Sequence, residues 1–298
     1  MTDILPFIIQ GLVLGGIYAL VAVGLSLMFG VLDVINVAHG ETLALGGYLM
    51  FLLVTVLMLP PWPALALSMI GGFAVGALIY WILIRPAGAR LAGRSPGVVF
   101  LVVTLGLSTF MQNGLQAIFG ADYRNVVPFT TEVYEVFDVP VAGSRLLIVC
   151  VAALLLIALF GFLRYTREGL AIRAVAQNPD VAQSLGIRLT RVFLITFGIG
   201  GMLAAAAGGM MASIFKVYPM VGFAFAIKGF AITIIGGLGN PLGALAASLL
   251  VGLAESTSVY VFSSEWRDMV AFVVMVVVVL VRPQGLFGLG KEQRSDRV

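Results

Sequence analysis

The sequence predicts an all-α fold, a polytopic bundle of about eight transmembrane helices with interrupted or re-entrant segments. Of its 298 residues, 61% are hydrophobic and 10% are charged, and the mean hydropathy is +1.11. Ordinary soluble domains carry about 25% charged residues. The apolar runs are continuous and do not alternate, which indicates helices rather than barrel strands. We expect residues 1–298 to form a single transmembrane domain.

Uncharged runs recur at the length that a helix needs to cross a hydrocarbon core of about 30 Å, which is about 20 residues. Pro60-Pro61-Trp62-Pro63 divides the second run into two passes, because prolines break helices and Trp favours the membrane interface. The last run, Met269–Val281, is short and needs Trp266–Asp268 at the interface to reach across. The other runs are Ile4–Leu32, Thr42–Ile84, Ser95–Ala121, Leu146–Leu163, Val192–Phe215 and Gly229–Ala254. Together they predict eight spans.

The distribution of charge predicts the orientation, because basic loops stay in the cytoplasm. Basic residues cluster at 85–94, in the loop 164–191 and in the tail 283–298, which we place inside, whereas the loop 120–144 is acidic and faces outward. The N-terminus carries Asp3 and no basic residue, which favours the outside. Eight simple passes would put both termini on one side. One segment after Val192 is therefore expected to re-enter or to divide in two.

Two apolar stretches, Val31–Gly40 and Phe223–Pro241, are interrupted by Gly, Pro and polar residues, as half-helices are. They also resemble each other, since each contains a span, a glycine-bearing break and a helix of small residues. Paired interrupted segments in the two halves of a transporter indicate the substrate path. The alternative is that glycine-rich spans resemble one another by composition alone.

Ionisable residues within or beside the spans are candidates for function, because a charge in lipid costs roughly 2.5–3.5 kcal/mol on insertion scales. His39 and Glu41 could form a proton relay or a structural hydrogen-bonding cluster. Lys228 could attract a substrate carboxylate or pair with Glu255. Asp33 and Asn36 could line the path or cap the short helix that follows. The candidate path residues are Asp33, Asn36, His39, Glu41, Lys228, Gly236, Gly237, Gly239 and Glu255.

The residues that enzymes and metal sites need are scarce. His39 is the only histidine and Cys150 the only cysteine, so a zinc site lacks its ligands and a hydrolase would have one possible base. No glycine-rich loop ends in Gly-Lys-Ser or Gly-Lys-Thr, so the chain cannot hold nucleotide phosphates in that manner. We expect no enzyme activity, no metal, no cofactor and no nucleic-acid partner.

The loop 164–191 is too polar to cross lipid, yet it contains the signals of a short helix. Asn178 supplies a cap, Pro179 suits the first turn and Gly186 suits the end. A short surface helix between two arginine-bearing arms could dock in a groove on another protein, or the loop could be an ordinary basic anchor. The candidate docking residues are Arg173, Asn178, Pro179, Asp180, Ala182, Leu185 and Gly186.

The same loop, from Arg167-Glu168-Gly169 to Arg191-Val192, resembles the coupling loop of the branched-chain amino-acid ABC transporter permeases. Residues 36–41 followed by Leu45-Gly46-Gly47-Tyr48, and Lys228-Gly229-Phe230 followed by residues 235–239, agree with that family. The resemblance covers essentially the whole chain and is greatest to the first of the two permease subunits. The loop departs from the general permease signature at Ala174-Val175-Ala176, where it has no acid.

The resemblance implies a multi-pass protein of the bacterial inner membrane that translocates branched-chain or other neutral amino acids. It implies four kinds of partner: a second permease subunit, two cytoplasmic ATPases that carry ATP and magnesium, a periplasmic binding protein, and the lipid bilayer. Two alternatives stay open. One is a urea or short-amide permease of the same kind, and the other is a stand-alone ion-coupled transporter that uses His39, Glu41 and Glu255.

Overall fold

A computed structural model describes residues 4–90, 96–136 and 139–288. Some residues that contribute to the predicted orientation lie outside the described residues: Asp3, Arg94, Asp138, Lys291, Arg294 and Arg297. The fold is a helix bundle. Its helices are α1 (Leu5–Leu32), α2 (His39–Phe51), α3 (Pro61–Ile79), α4 (Arg85–Arg90), α5 (Pro96–Phe119), α6 (Gly143–Tyr165), α7 (Arg167–Gln177), α8 (Pro179–Ser184), α9 (Leu189–Ala212), α10 (Val221–Gly236), α11 (Pro241–Val261) and α12 (Arg267–Val281).

Seven helical stretches are long and apolar enough to cross a membrane, which confirms a polytopic bundle. Two of them continue through π-helical turns: Leu52–Val56 extends α2, and Tyr80–Ile84 joins α3 to α4. The prolines at 60–63 separate α2 from α3 as the sequence predicts. Helix α10 is a shorter apolar helix and α12 has only 15 residues, so the described chain has seven spans of full length in place of eight.

One predicted span is divided, as expected for a segment after Val192. The uncharged run Gly229–Ala254 is not one helix, because the chain breaks between α10 and α11. Residues of α1, of the α7–α8 loop, of this break and of the tail from Pro283 line one cavity, so they share one end of the bundle. We call this end the loop end. The opposite end carries a β-hairpin between α5 and α6, and we call it the hairpin end. Helix α1 therefore starts at the hairpin end, and the described residues reach Gly288 at the loop end.

The centre of the bundle consists of α1 and α9, which are the most buried of the long helices. Small residues let the helices approach closely, as expected where apolar burial drives association only weakly. Gly252 of α11 lies against the backbone of Gly11 and Gly15, and Gly201 of α9 lies against Gly72 and Gly76. The outermost long helix is α5, of which 22% is buried.

The break between α1 and α2 is an ordered, non-helical segment. Helix α1 ends at Asp33, which adopts a left-handed conformation with φ of 56°. Thr104 of α5 holds the segment, because its hydroxyl accepts from the Val37 amide at 3.3 Å. The same oxygen lies 3.2 Å from the Ile35 carbonyl, and the Phe100 carbonyl within α5 is its nearest acceptor at 2.9 Å. Helix α2 begins after Ala38 without a side-chain cap. The capping role predicted for Asp33 and Asn36 is therefore wrong.

The loop 120–144 contains structure that was not predicted from the sequence. Strands β1 (Val133–Val136) and β2 (Val139–Ala142) pair antiparallel, with Val133 opposite Ala142. Arg124 forms an isolated bridge with Val217, which ties the loop to the connection between α9 and α10. The bundle is otherwise helical over the described residues.

Candidate translocation and coupling sites

The polar loop 164–191 forms two helices at the loop end. Thr166 caps α7 by accepting from the Gly169 amide at 3.0 Å. Asn178 caps α8 by accepting from the amides of Asp180 and Val181, each at 3.0 Å. The first of these helices was not predicted from the sequence, whereas the second has the predicted start, with Asn178 followed by Pro179. Gly186 ends it with φ of 86°, a conformation that favours glycine.

Helices α7 and α8 are anchored on one side and open on the other. Ile172 and Val175 of α7 and Ala182 of α8 are buried against the bundle. Leu185 and Val181 point away from it, with 76% and 54% of their surfaces exposed. Arg173 and Asp180 are also exposed. A short helix that is fixed to the bundle and presents apolar side chains outward can dock on another protein and transmit movement.

Lys228 of α10 stands at the centre of a buried polar network. Its Nζ lies 3.0 Å from Glu255 Oε1 and 2.8 Å from Asp268 Oδ1, so it pairs with α11 and α12. Tyr18 of α1 donates its hydroxyl hydrogen to Glu255 Oε2 at 2.7 Å and accepts from Lys228 at 3.1 Å. Glu255 is fully buried and Lys228 is nearly so. The network joins four helices, which is the structural pairing that the sequence offered as one of two roles.

His39 and Glu41 occupy a second buried region, where helices α2 and α10 begin side by side. Gly40 and Gly222 are so close that a Cβ atom on Gly40 would lie 2.1 Å from the Gly222 carbonyl oxygen. Ser108 of α5 donates to Glu41 Oε1 at 3.1 Å. Glu41 Oε2 and His39 Nε2 have no hydrogen-bond partner among the described residues. This arrangement packs the two helix starts together and leaves the acid without a cation.

The other candidate residues gather at the loop end. Asp33 and Gly239 line a cavity of about 510 Å³ that also meets Val175 and Pro179 of the α7–α8 loop. Gly237 and Gly239 adopt positive φ in the break between α10 and α11, and Gly239 packs against Gly30 of α1. Gly236 packs against Gly243. These glycines form a tight turn, and Asp33 faces the cavity.

The structure thus divides the predicted path residues among three places. One group holds Lys228 and Glu255, a second holds His39 and Glu41, and a third holds Asp33 and the glycines. Asn36 lies apart from these groups, with its amide 3.9 Å from the Met28 sulfur. Tyr18, Ser108 and Asp268 complete the polar groups, but the sequence analysis did not select them. A tyrosine or serine in an apolar run is too common to signal a contact with an acid far away in the chain.

A multi-pass helix bundle with the buried Lys228–Glu255 pair in its interior and an anchored polar loop at one end is the architecture of a membrane transport permease. A family model described as branched-chain amino acid transport system, permease component, matches residues 7–279. The chain therefore belongs to this family, which is a family of transport permeases and not of enzymes.

Individual relatives agree with the family. The chain is 33% identical to the high-affinity branched-chain amino acid transport system permease protein LivH of Salmonella typhimurium, with 94% of each chain covered. It is 28% identical to LivM of the same organism, over 93% of this chain and 69% of LivM. The solved structure of PsaBC from Streptococcus pneumoniae has a TM-score of 0.51 at 11% identity, with 95% of each chain covered, which shows the same fold.

Proposed function

We propose that this chain is one of two permease subunits of an ATP-driven importer of branched-chain or other neutral amino acids in a bacterial inner membrane. Its similarity to LivH over nearly the full length of both chains carries the proposal. LivH and LivM of one organism share one system name, which supports a pair of different permeases. The second permease would complete a path that this chain forms only in part.

Two separate ATPases would drive the importer through α8. Exposed Leu185 and Val181 give this helix an apolar docking face, and buried Ala182 links it to the bundle. Helix α8 packs against α7 and α9, so a push on α8 would act on the bundle through these two helices. The α7–α8 loop and the α10–α11 break line one cavity at the same end. A periplasmic binding protein would deliver the amino acid at the hairpin end. ATP and magnesium would be held by the ATPases.

The docking role of α8 is tested by Leu185→Glu, with Leu185→Met as the matched control. The side chain is exposed, so neither change disturbs the packing of the bundle. A charge in an apolar contact should weaken ATPase binding at least tenfold, which is about 1.4 kcal/mol, and should abolish leucine uptake. Copurification of the ATPase and uptake of radiolabelled leucine measure the two effects. Unchanged binding and uptake in Leu185→Glu would contradict the coupling assignment.

A further inference from the structure

The surface of α5 that faces away from the bundle carries polar side chains along its middle, which the corresponding surfaces of α3 and α6 lack. Its exposed residues include Thr109, Asn113 and Gln116, which recur at helical spacing and point the same way as Gly106. We call these four residues the α5 polar face. It lies opposite Thr104 and Ser108, the buried residues through which α5 contacts the α1–α2 break and Glu41. No other part of the described chain packs within 4 Å of the Cβ position of Gly106.

Helices α3 and α6 provide the comparison, because they are also on the outside of the bundle. The exposed large side chains along α6 include Leu154 and Ile157, and those of α3 include Leu67 and Ile70. These faces suit lipid. Polar side chains within a membrane helix normally face the protein interior or a water-filled cavity, since lipid offers them no hydrogen bonds. The α5 polar face therefore suits water or a polar solute better than lipid.

The hydrogen bonds of the face define the chemistry that it offers. Asn113 donates from Nδ2 to the Thr109 carbonyl at 2.7 Å, and the Thr109 hydroxyl donates to the Leu105 carbonyl at 3.1 Å. Among the described residues nothing donates to Asn113 Oδ1 or Thr109 Oγ1, so both oxygens remain free to accept. Acceptor oxygens without a full charge suit an ammonium group that must be held weakly and released.

Apolar side chains border the same face. Val102 and Phe110 flank the α5 polar face and are 61% and 75% exposed. A solute with an ammonium group and an aliphatic side chain would find acceptors and apolar contacts on one helix. Branched-chain amino acids have both groups. No Lys, Arg, Asp or Glu occurs in α5, so the face does not favour a solute with a net charge.

From these observations we propose that the α5 polar face lines the solute path and that the second permease subunit supplies the opposite wall. This inference rests on the proposed function for the identity of the solute. It moves the path away from the groups around Glu41 and Lys228 that the sequence offered, because these two side chains lie between packed helices. Asn113 and Thr109 are then the residues that contact the solute between the middle of the bundle and the hairpin end.

Thiol labelling in the assembled complex tests this assignment. Cys150 is exposed on α6 and is first changed to Ser. Asn113→Cys and Thr109→Cys are then compared with Ile157→Cys, the matched control on the lipid-type face of α6. The probe is the membrane-impermeant cation 2-(trimethylammonium)ethyl methanethiosulfonate. We expect the two α5 thiols to react at least tenfold faster than the control, and saturating leucine with the binding protein to slow them.

Equal rates at α5 and α6 would overturn the proposal, and so would complete protection of the α5 thiols in the complex without solute, since the face would then pack against the partner. The rates do not depend on which solute is carried. In one outcome the complex does not import leucine and leucine does not slow the labelling, but the α5 thiols still react tenfold faster than the control. That outcome would contradict the proposed substrate and support the path along α5. Loss of the contrast in a complex that imports leucine would contradict the path alone.

Discussion

Glu41 and Glu255 are both buried acids inside the bundle, but their surroundings differ. Glu255 faces the Lys228 ammonium and the Tyr18 hydroxyl, and the network continues to Asp268. Glu41 has one neutral partner, Ser108, and lies in the first turn of α2 beside the first turn of α10. Helix N-termini favour negative charge, so both helix starts favour the carboxylate there, although Glu41 Oε2 accepts no hydrogen bond from the described residues. Glu255 therefore cross-links helices by charge, whereas Glu41 depends on the close backbone packing of α2 against α10.

The largest effect is expected from breaking the charged network. Lys228→Met leaves Glu255 buried without a cation, which should destabilise the protein by about 3–5 kcal/mol. Thermal unfolding in detergent measures the loss. Lys216→Met is the matched control, because Lys216 is exposed and its replacement should cost little.

The double variant Lys228→Met/Glu255→Met should recover most of the lost stability, because it removes the unpaired charge with its partner. If Lys228→Met were as stable as Lys216→Met, the network would not hold the four helices together.

An intermediate effect is expected at the crossing of α2 and α10. The methyl group of Gly40→Ala would meet a backbone oxygen, which cannot rotate away, so the helices must separate at a cost of about 1–3 kcal/mol. Gly161→Ala on α6 is the control, since no atom lies within 4 Å of its Cβ position. Equal unfolding temperatures for the two variants would show that the contact at Gly40 does not support the fold.

The smallest effect is expected from Glu41→Gln. The amide keeps an oxygen that can accept from Ser108 and removes a charge that has no cation, so stability should change by less than about 1 kcal/mol. Unfolding of Glu41→Gln and Lys228→Met in the same detergent gives the comparison directly. A loss at Glu41 as large as that at Lys228 would mean that its charge is essential to the packing.

The sequence predicted the elements that depend on local signals. Charged and proline-bearing boundaries marked the long helices, and Asn178 with Pro179 and Gly186 marked α8. Helix α7 was missed although its signals are present, since Thr166 caps it and Ile172 and Val175 recur on its buried side. The hairpin 133–142 was missed because its strands are short and sit in an acidic loop.

The candidate sites were predictable only where charge limits the possible partners. Lys228 and Glu255 could be paired from the sequence, because an ionisable residue in a membrane helix needs an opposite charge. Tyr18 and Asp268 join them through tertiary contacts that no local pattern reveals. The α5 polar face was within reach, since Thr109 and Asn113 are four residues apart in an apolar helix. What the sequence could not indicate is which side of α5 faces outward.

The proposed function makes this chain one half of an ATP-driven permease, which does not transport alone. Uptake of radiolabelled leucine into proteoliposomes tests it, with the chain alone or with a second permease, two ATPases and a binding protein, each with and without ATP. We expect uptake only from the complete set with ATP. Sustained uptake by the chain alone, without ATPase or binding protein, would contradict the role as a permease half and favour an ion-coupled transporter.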